Sequence, residues 1–197
     1  MFEVRRYTAE QLAEWNKYVA KARNATFLFN RGYMDYHADR FHDYSIMFYK
    51  NGKLHSLLPA HQVGTELYSH YGLTYGGLIM DINVTIADTC ELFEALNVYL
   101  KSAGFTKVYY RPIPWIYHLY PSEEDLYAIF WKCHARLALR NIGTTIFIQQ
   151  HLRWRKGHLS QLKRSQNMGV TVIKNSSLSD FWGILEDNLM ERFHAKP

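Results

Sequence analysis

Cysteine is scarce in this chain: there are two, Cys90 and Cys133, in 197 residues. Each sits in an apolar helical pattern, which excludes a disulfide framework and a cysteine-held zinc, and a reducing cytoplasm fits best. Long apolar runs are missing as well. No stretch approaches the roughly 18 consecutive apolar residues of a membrane span. The opening Met1-Phe-Glu-Val-Arg-Arg6 lacks the apolar heart of a secretion signal. There is no short-period repeat and no low-complexity tract.

What the chain does contain is an ordinary globular balance, 48% hydrophobic and 21% charged, enough apolar surface to offset chain entropy and exclude disorder. Its length suits one domain and part of a second. Aromatic residues reach 16%, with 15 Tyr and 11 Phe, which serves either a surface that binds something or an aromatic core. The net charge of +5 suits an anionic partner such as phosphate, nucleic acid or a membrane face without naming one.

Phe2 to Tyr7 reads as a strand. Thr8 and Gln11 form a capping box before a helix whose Leu12, Trp15, Val19 and Ala22 keep the helical period. Gly32 to Phe41 reads as a second helix. Ser45 to Lys50 and Lys53 to Ala60 are strands joined by Asn51-Gly52, the dipeptide of a tight hairpin. A third strand near Glu66 to His70 enters the glycine loop Gly72-Leu-Thr-Tyr-Gly-Gly77, which is expected to lead into a long helix capped by Thr85 and Asp88 and ended at Gly104. Phe105 to Arg111 is a strand that Pro112 and Pro114 turn away. Ser122 is expected to cap the next helix, with Glu123, Glu124 and Asp125 as first-turn acids rather than catalysts. One or two strands are expected within Arg136 to Ile148. Beyond them come a short helix from His158, a strand at Val170 to Lys174 and a Ser179-capped helix, which read as the opening of another domain.

This order resembles the GNAT acyltransferase fold over residues 1–150, an α/β (α+β) arrangement with a mostly antiparallel twisted sheet flanked by helices. On this resemblance residues 151–197 are expected to be a basic connector and the beginning of a second, incomplete GNAT-like domain. Three short segments, Ala25-Thr-Phe-Leu-Phe-Asn30, Ser69-His70 with Gly76-Gly77, and Leu162-Lys-Arg-Ser-Gln-Asn-Met-Gly-Val170, narrow the likeness. Through them the chain is more closely similar to the FemAB group, whose members build peptidoglycan bridges with two such domains in tandem.

The resemblance implies direct attack of an amine on an activated carbonyl, with acyl-CoA or aminoacyl-tRNA as donor and no metal. In the family the glycine loop usually reads Gln or Arg, two residues, Gly, one residue, Gly or Ala. Tyr71 to Gly77 has the glycines without that pattern, a departure shared with FemAB first domains, where the donor is handled elsewhere and the first domain helps hold the acceptor. The substrate-binding candidates are therefore Arg31, Tyr36, Ser69, His70, Tyr75, Gly76 and Gly77. To these are added the basic residues Arg153, Arg155, Lys156, Lys163 and Arg164, with His151, His158 and Trp154 among them. A glycine turn needed only for packing and a solvated charge run remain the alternatives.

No residue is assigned as catalytic base. The adjacency of Ser69 and His70 does not aim a hydroxyl at an imidazole, and Asp35, Asp39, His42 and Asp43 are not expected to bind a metal. The expected partners are a phosphate-bearing small molecule or cell-wall precursor, tRNA, and a second copy of the chain. The competing function is a non-catalytic, degenerate GNAT domain that binds a phosphorylated ligand or a protein.

Overall fold

The Asn51-Gly52 turn sets the first sheet. Both residues adopt positive φ, 51° and 72°, which lets β2 (Ile46–Lys50) fold back on β3 (Lys53–Leu58). β1 (Phe2–Arg6) pairs antiparallel with the other side of β2. In the computed structural model residues 1–149, 153–174 and 178–196 are described. The chain divides into two compact units, Met1–Thr145 and Ile146–Pro197.

After β3 comes Pro59, which has no N–H to give to a ladder. The strand is interrupted there and resumes as β4 (His61–Val63), which belongs to a second sheet with β5 (Glu66–Tyr68). β6 (Ile79–Met80) returns to the first sheet on the free side of β3, and β7 (Lys107–Tyr109) joins the second, parallel to β5. The strand orders are β1-β2-β3-β6 and β4-β5-β7. The fold is mixed α/β with a mostly antiparallel sheet flanked by helices.

Alternation along β2 shows how the first sheet is covered. Ile46 and Phe48 join a core under α3 (Ile86–Ser102) and α4 (Glu124–Cys133), with Leu92, Phe93, Leu96 and Ala128. Met47 and Tyr49 join a second core on the opposite face, under α1 (Leu12–Lys21) with Trp15, Tyr18, Phe29 and Tyr75. A strand buried on both faces must be apolar along its buried stretch, as Ile46 to Tyr49 are. Each large aliphatic side chain so buried stabilises by about 1.5–3 kcal/mol.

Helix ends follow their local chemistry. Gln11 Oε1 accepts the Thr8 amide at 2.7 Å ahead of α1. Thr85 Oγ1 accepts the Asp88 amide at 3.2 Å, and Gly104 at φ +82° ends the turn after α3.

Several expectations need correction. The second helix is short: α2 covers Arg31–Met34, followed by a single tight turn at Asp35–His37. Met34 is the one buried apolar side chain between Gly32 and Phe41, so there is no stripe to hold a longer helix. The glycine loop leads into β6 before α3. The cap position of α4 is Glu123 rather than Ser122, whose hydroxyl sits 3.5 Å from His118 Nδ1. No strand forms between Arg136 and Ile148. That segment is irregular and exposed, because apolar alternation makes a strand only where another strand supplies hydrogen-bond partners.

In the second unit, α5 spans Lys156–Asn167 and α6 spans Ser179–Phe193. Val170 to Lys174 is irregular rather than a strand, and Leu178 rather than Ser179 stands at the cap of α6. His151 lies outside the described residues. Among the described residues no helix is long and apolar enough to cross a membrane.

Candidate functional site

β5 and β7 form the one parallel pair among the described strands, and in such pairs the opening beyond the carboxyl ends is the customary place for a ligand. The ladder runs to Tyr68 opposite Tyr109, and the Ser69 amide makes one more bond to the Tyr109 carbonyl at 2.9 Å. The strands then part. β7 continues into Arg111 and Pro112, while residues 69–78 leave the sheet and return as β6.

The glycine loop fills this wedge. Ser69 Oγ accepts the Arg111 amide at 2.6 Å, and the Gly76 amide is given to the Arg111 carbonyl at 3.2 Å. The Leu78 amide goes to Tyr110 Oη at 2.7 Å, and that phenol donates to Asp125 Oδ2 at 2.5 Å. Tyr75 is buried, stacked on Tyr117 at 5.0 Å, with its hydroxyl given to Thr26 Oγ1 at 3.0 Å. Gly76 is a packing glycine: a Cβ there would stand 2.0 Å from the Ser69 carbonyl oxygen. Gly77 has φ +89°, and its Cβ would meet Tyr110 Oη at 3.1 Å. The Gly76 and Leu78 amides are thus engaged inside the protein and cannot serve an anion.

His70 is buried at φ +54°, against the rings of Phe41 and His61. His61 Nδ1 accepts the Tyr71 amide at 3.2 Å, so it carries no proton there, and burial holds the imidazole pKa below its ordinary value. Tyr68 and Tyr109 stack at 4.5 Å. On the rim, the exposed Arg111 lies 4.9 Å from the Tyr71 ring, and its Nη1 reaches the Thr74 carbonyl at 3.3 Å. Beneath the loop, burial raises the pKa of both Asp125 and Tyr110, which favours their protonated forms.

Of the sequence candidates, Ser69, His70, Tyr75, Gly76 and Gly77 come together here. Arg31 does not. It is buried with its guanidinium forked onto Asp35 at 2.5 Å and Asp43 at 3.0 Å, 3.9 Å from the Tyr7 ring, so it anchors α2 rather than facing a ligand. Tyr36 is 76% exposed beyond it. Arg153, Arg155, Lys156, Lys163 and Arg164 are all exposed in the second unit, the first two just before α5 and the others on it. Arg111 and Tyr71 were not singled out by sequence. The available signal was a cation closing an apolar strand immediately before a proline.

Two other arrangements carry less. His55 sits between Ser56 Oγ, 2.9 Å from Nδ1, and Asp88, 3.6 Å from Nε2, but Ser56 is sealed within β3 where no substrate reaches. Among the described residues no group of three or more His, Cys, Asp or Glu could hold a metal ion, and Asp35 and Asp43 are taken by Arg31.

No protein-family model matches the chain, and no curated protein matches it. Among solved structures it is similar to a GNAT family acetyltransferase of Staphylococcus aureus, with 7% identity, TM-score 0.38, and coverage of 77% of this chain and 98% of that one. It is also similar to the aminoglycoside acetyltransferase meta-AAC0020 from an uncultured soil metagenomic sample, solved with sisomicin and with trehalose. There the identity is 13% and the TM-score 0.36, with coverage of 76% of this chain and 97% of that one.

Proposed function

We propose that the chain is part of an N-acyltransferase of the GNAT type, in which the outer rim of the filled β5–β7 wedge faces the acceptor. The observation that carries the reading is the exposed Arg111 guanidinium on that rim, 4.9 Å from the exposed Tyr71 ring, with the exposed Tyr117 stacked on Tyr75 of the same loop. In the reaction, a neutral amine attacks the carbonyl of an acyl-CoA thioester or an aminoacyl-tRNA ester. The new C–N bond forms as the thiolate or the ribose alkoxide leaves, and the amine proton passes through a base or water to that leaving group. Because the Gly76 and Leu78 amides are engaged, the loop acts as a wall and the donor's phosphates are held elsewhere. This favours the FemAB division of labour, in which the first domain holds a cell-envelope precursor in the cytoplasm. Arg111 in the first unit, and Arg153, Arg155, Lys156, Lys163 and Arg164 in the second, are suited to phosphate contact.

A second reading is a non-catalytic binding domain. It is favoured by the burial of His61, His70 and Asp125, which leaves none of them at the opening to take a proton. The test offers the chain labelled acetyl-CoA or charged tRNA, a panel of amines and a nucleotide-linked cell-wall precursor. Label in an amide, with kcat/KM lowered about tenfold or more by Arg111→Ala, supports the enzyme. Precursor binding without transfer supports the binding domain. Neither binding nor transfer overturns both.

A further inference from the structure

β1 is the outer strand of the four-stranded sheet, with β2 on one side. On that side the Tyr7 amide is given to the Ser45 carbonyl at 2.8 Å, and the register runs unbroken from Arg6 opposite Ile46 to Phe2 opposite Lys50. Antiparallel ladders alternate, so the peptide groups of Glu3, Arg5 and Tyr7 face β2 while those of Phe2, Val4 and Arg6 face outward. An outward row of N–H and C=O groups is a template for one more strand. Beside this edge, on the side that carries α3, runs a groove of about 400 Å³ lined by Met1, Phe2, Val4, Ala95, Val98 and Tyr99. Val98 stands 72% exposed in it.

We propose that this edge and groove form the interface of a two-fold dimer, in which β1 pairs antiparallel with β1 of a second copy about Val4. The order of charges selects the occupant. Glu3 and Arg5 flank Val4 symmetrically, so antiparallel pairing about Val4 sets Glu3 opposite Arg5 of the second copy, and Arg5 opposite its Glu3. Centring the pair on residue 3 or on residue 5 would oppose Glu to Glu or Arg to Arg, and parallel pairing in register would oppose like charges throughout. Charged edge strands commonly repel other strands. Here the pattern opposes the one-residue shifts and the parallel register and favours the pairing about Val4. Within one copy Arg5 already forks onto Glu3 at 2.6 and 2.7 Å, both side chains exposed, so the same ion pair can be exchanged across the axis. A two-fold axis perpendicular to the sheet keeps Val4 and α3 on the same face in both copies, so the two apolar grooves adjoin and cover one another.

The experiment measures the mass of the chain in solution, by sedimentation equilibrium over a concentration series, for wild type, Glu3→Arg, Arg5→Glu and the double reversal. Both positions are exposed, and circular dichroism with thermal unfolding verifies that each variant is folded. Wild type and the double reversal are expected to dimerise with similar Kd, and each single reversal to raise Kd by about tenfold or more. A wild type that stays monomeric at every concentration overturns the proposal. So does a dimer indifferent to the single reversals, or one that the double reversal fails to restore.

Discussion

Gly76 lies so close to Ser69 that a methyl group on its Cα would sit 2.0 Å from the Ser69 carbonyl oxygen. The obstacle is backbone, fixed in turn by the Ser69 bond to Tyr109, so it cannot swing aside as a side-chain tip would. Gly76→Ala is expected to cost about 3 kcal/mol or more in urea unfolding. Gly52 provides the contrast. Its φ is positive, unlike that of Gly76, but nothing lies within 4 Å of its would-be Cβ, and Gly52→Ala should cost only about 1 kcal/mol.

Asp125 gives a pH prediction whose sign follows from burial. Its folded pKa is raised above the ordinary carboxylate value. Its favourable contribution is therefore full below the unfolded pKa and is lost as pH rises through the folded one. Asn keeps an acceptor for Tyr110 but does not ionise. The stability of wild type relative to Asp125→Asn should accordingly fall as pH is raised from the acid range toward neutrality, measured by urea unfolding at several pH values. A difference that is flat or rising with pH would contradict this.

Arg31 tests the anchor. Lysine keeps the charge but offers a single point in place of a planar fork, so one of the two carboxylates, Asp35 or Asp43, loses its partner. Arg31→Lys should destabilise by about 2–4 kcal/mol, read from the midpoint of chemical unfolding. A change near zero would return Arg31 to the list of residues free to meet a substrate.

How much of this could be read in advance depended on how local the physics is. Asn51-Gly52 announced its hairpin because the turn needs only those two residues to accept positive φ. Thr85, Asp88 and Gly104 bounded α3 for the same reason. Arg31 and Gly76 read from the sequence as substrate-binding candidates, and the structure shows both engaged within the protein. What decides them is Asp43 and the Ser69 carbonyl, brought near by tertiary structure that no local pattern encodes. Arg111 was passed over because a cation ending a strand gains meaning only once β5 is known to lie parallel beside it. The stretch from Arg136 to Ile148 shows the opposite error, since alternation and branching were present and a neighbouring edge was not.

The parallel pairing of β5 with β7 joins segments about forty residues apart, with β6 and all of α3 between them. A hairpin closes by itself, whereas this ladder closes only after the intervening helix has reversed the chain, at the entropic expense of a long loop. In kinetic terms the wedge is a late assembly. Substitutions at its walls, such as those at Gly76 or Tyr110, should chiefly accelerate unfolding and leave the refolding rate nearly as it was.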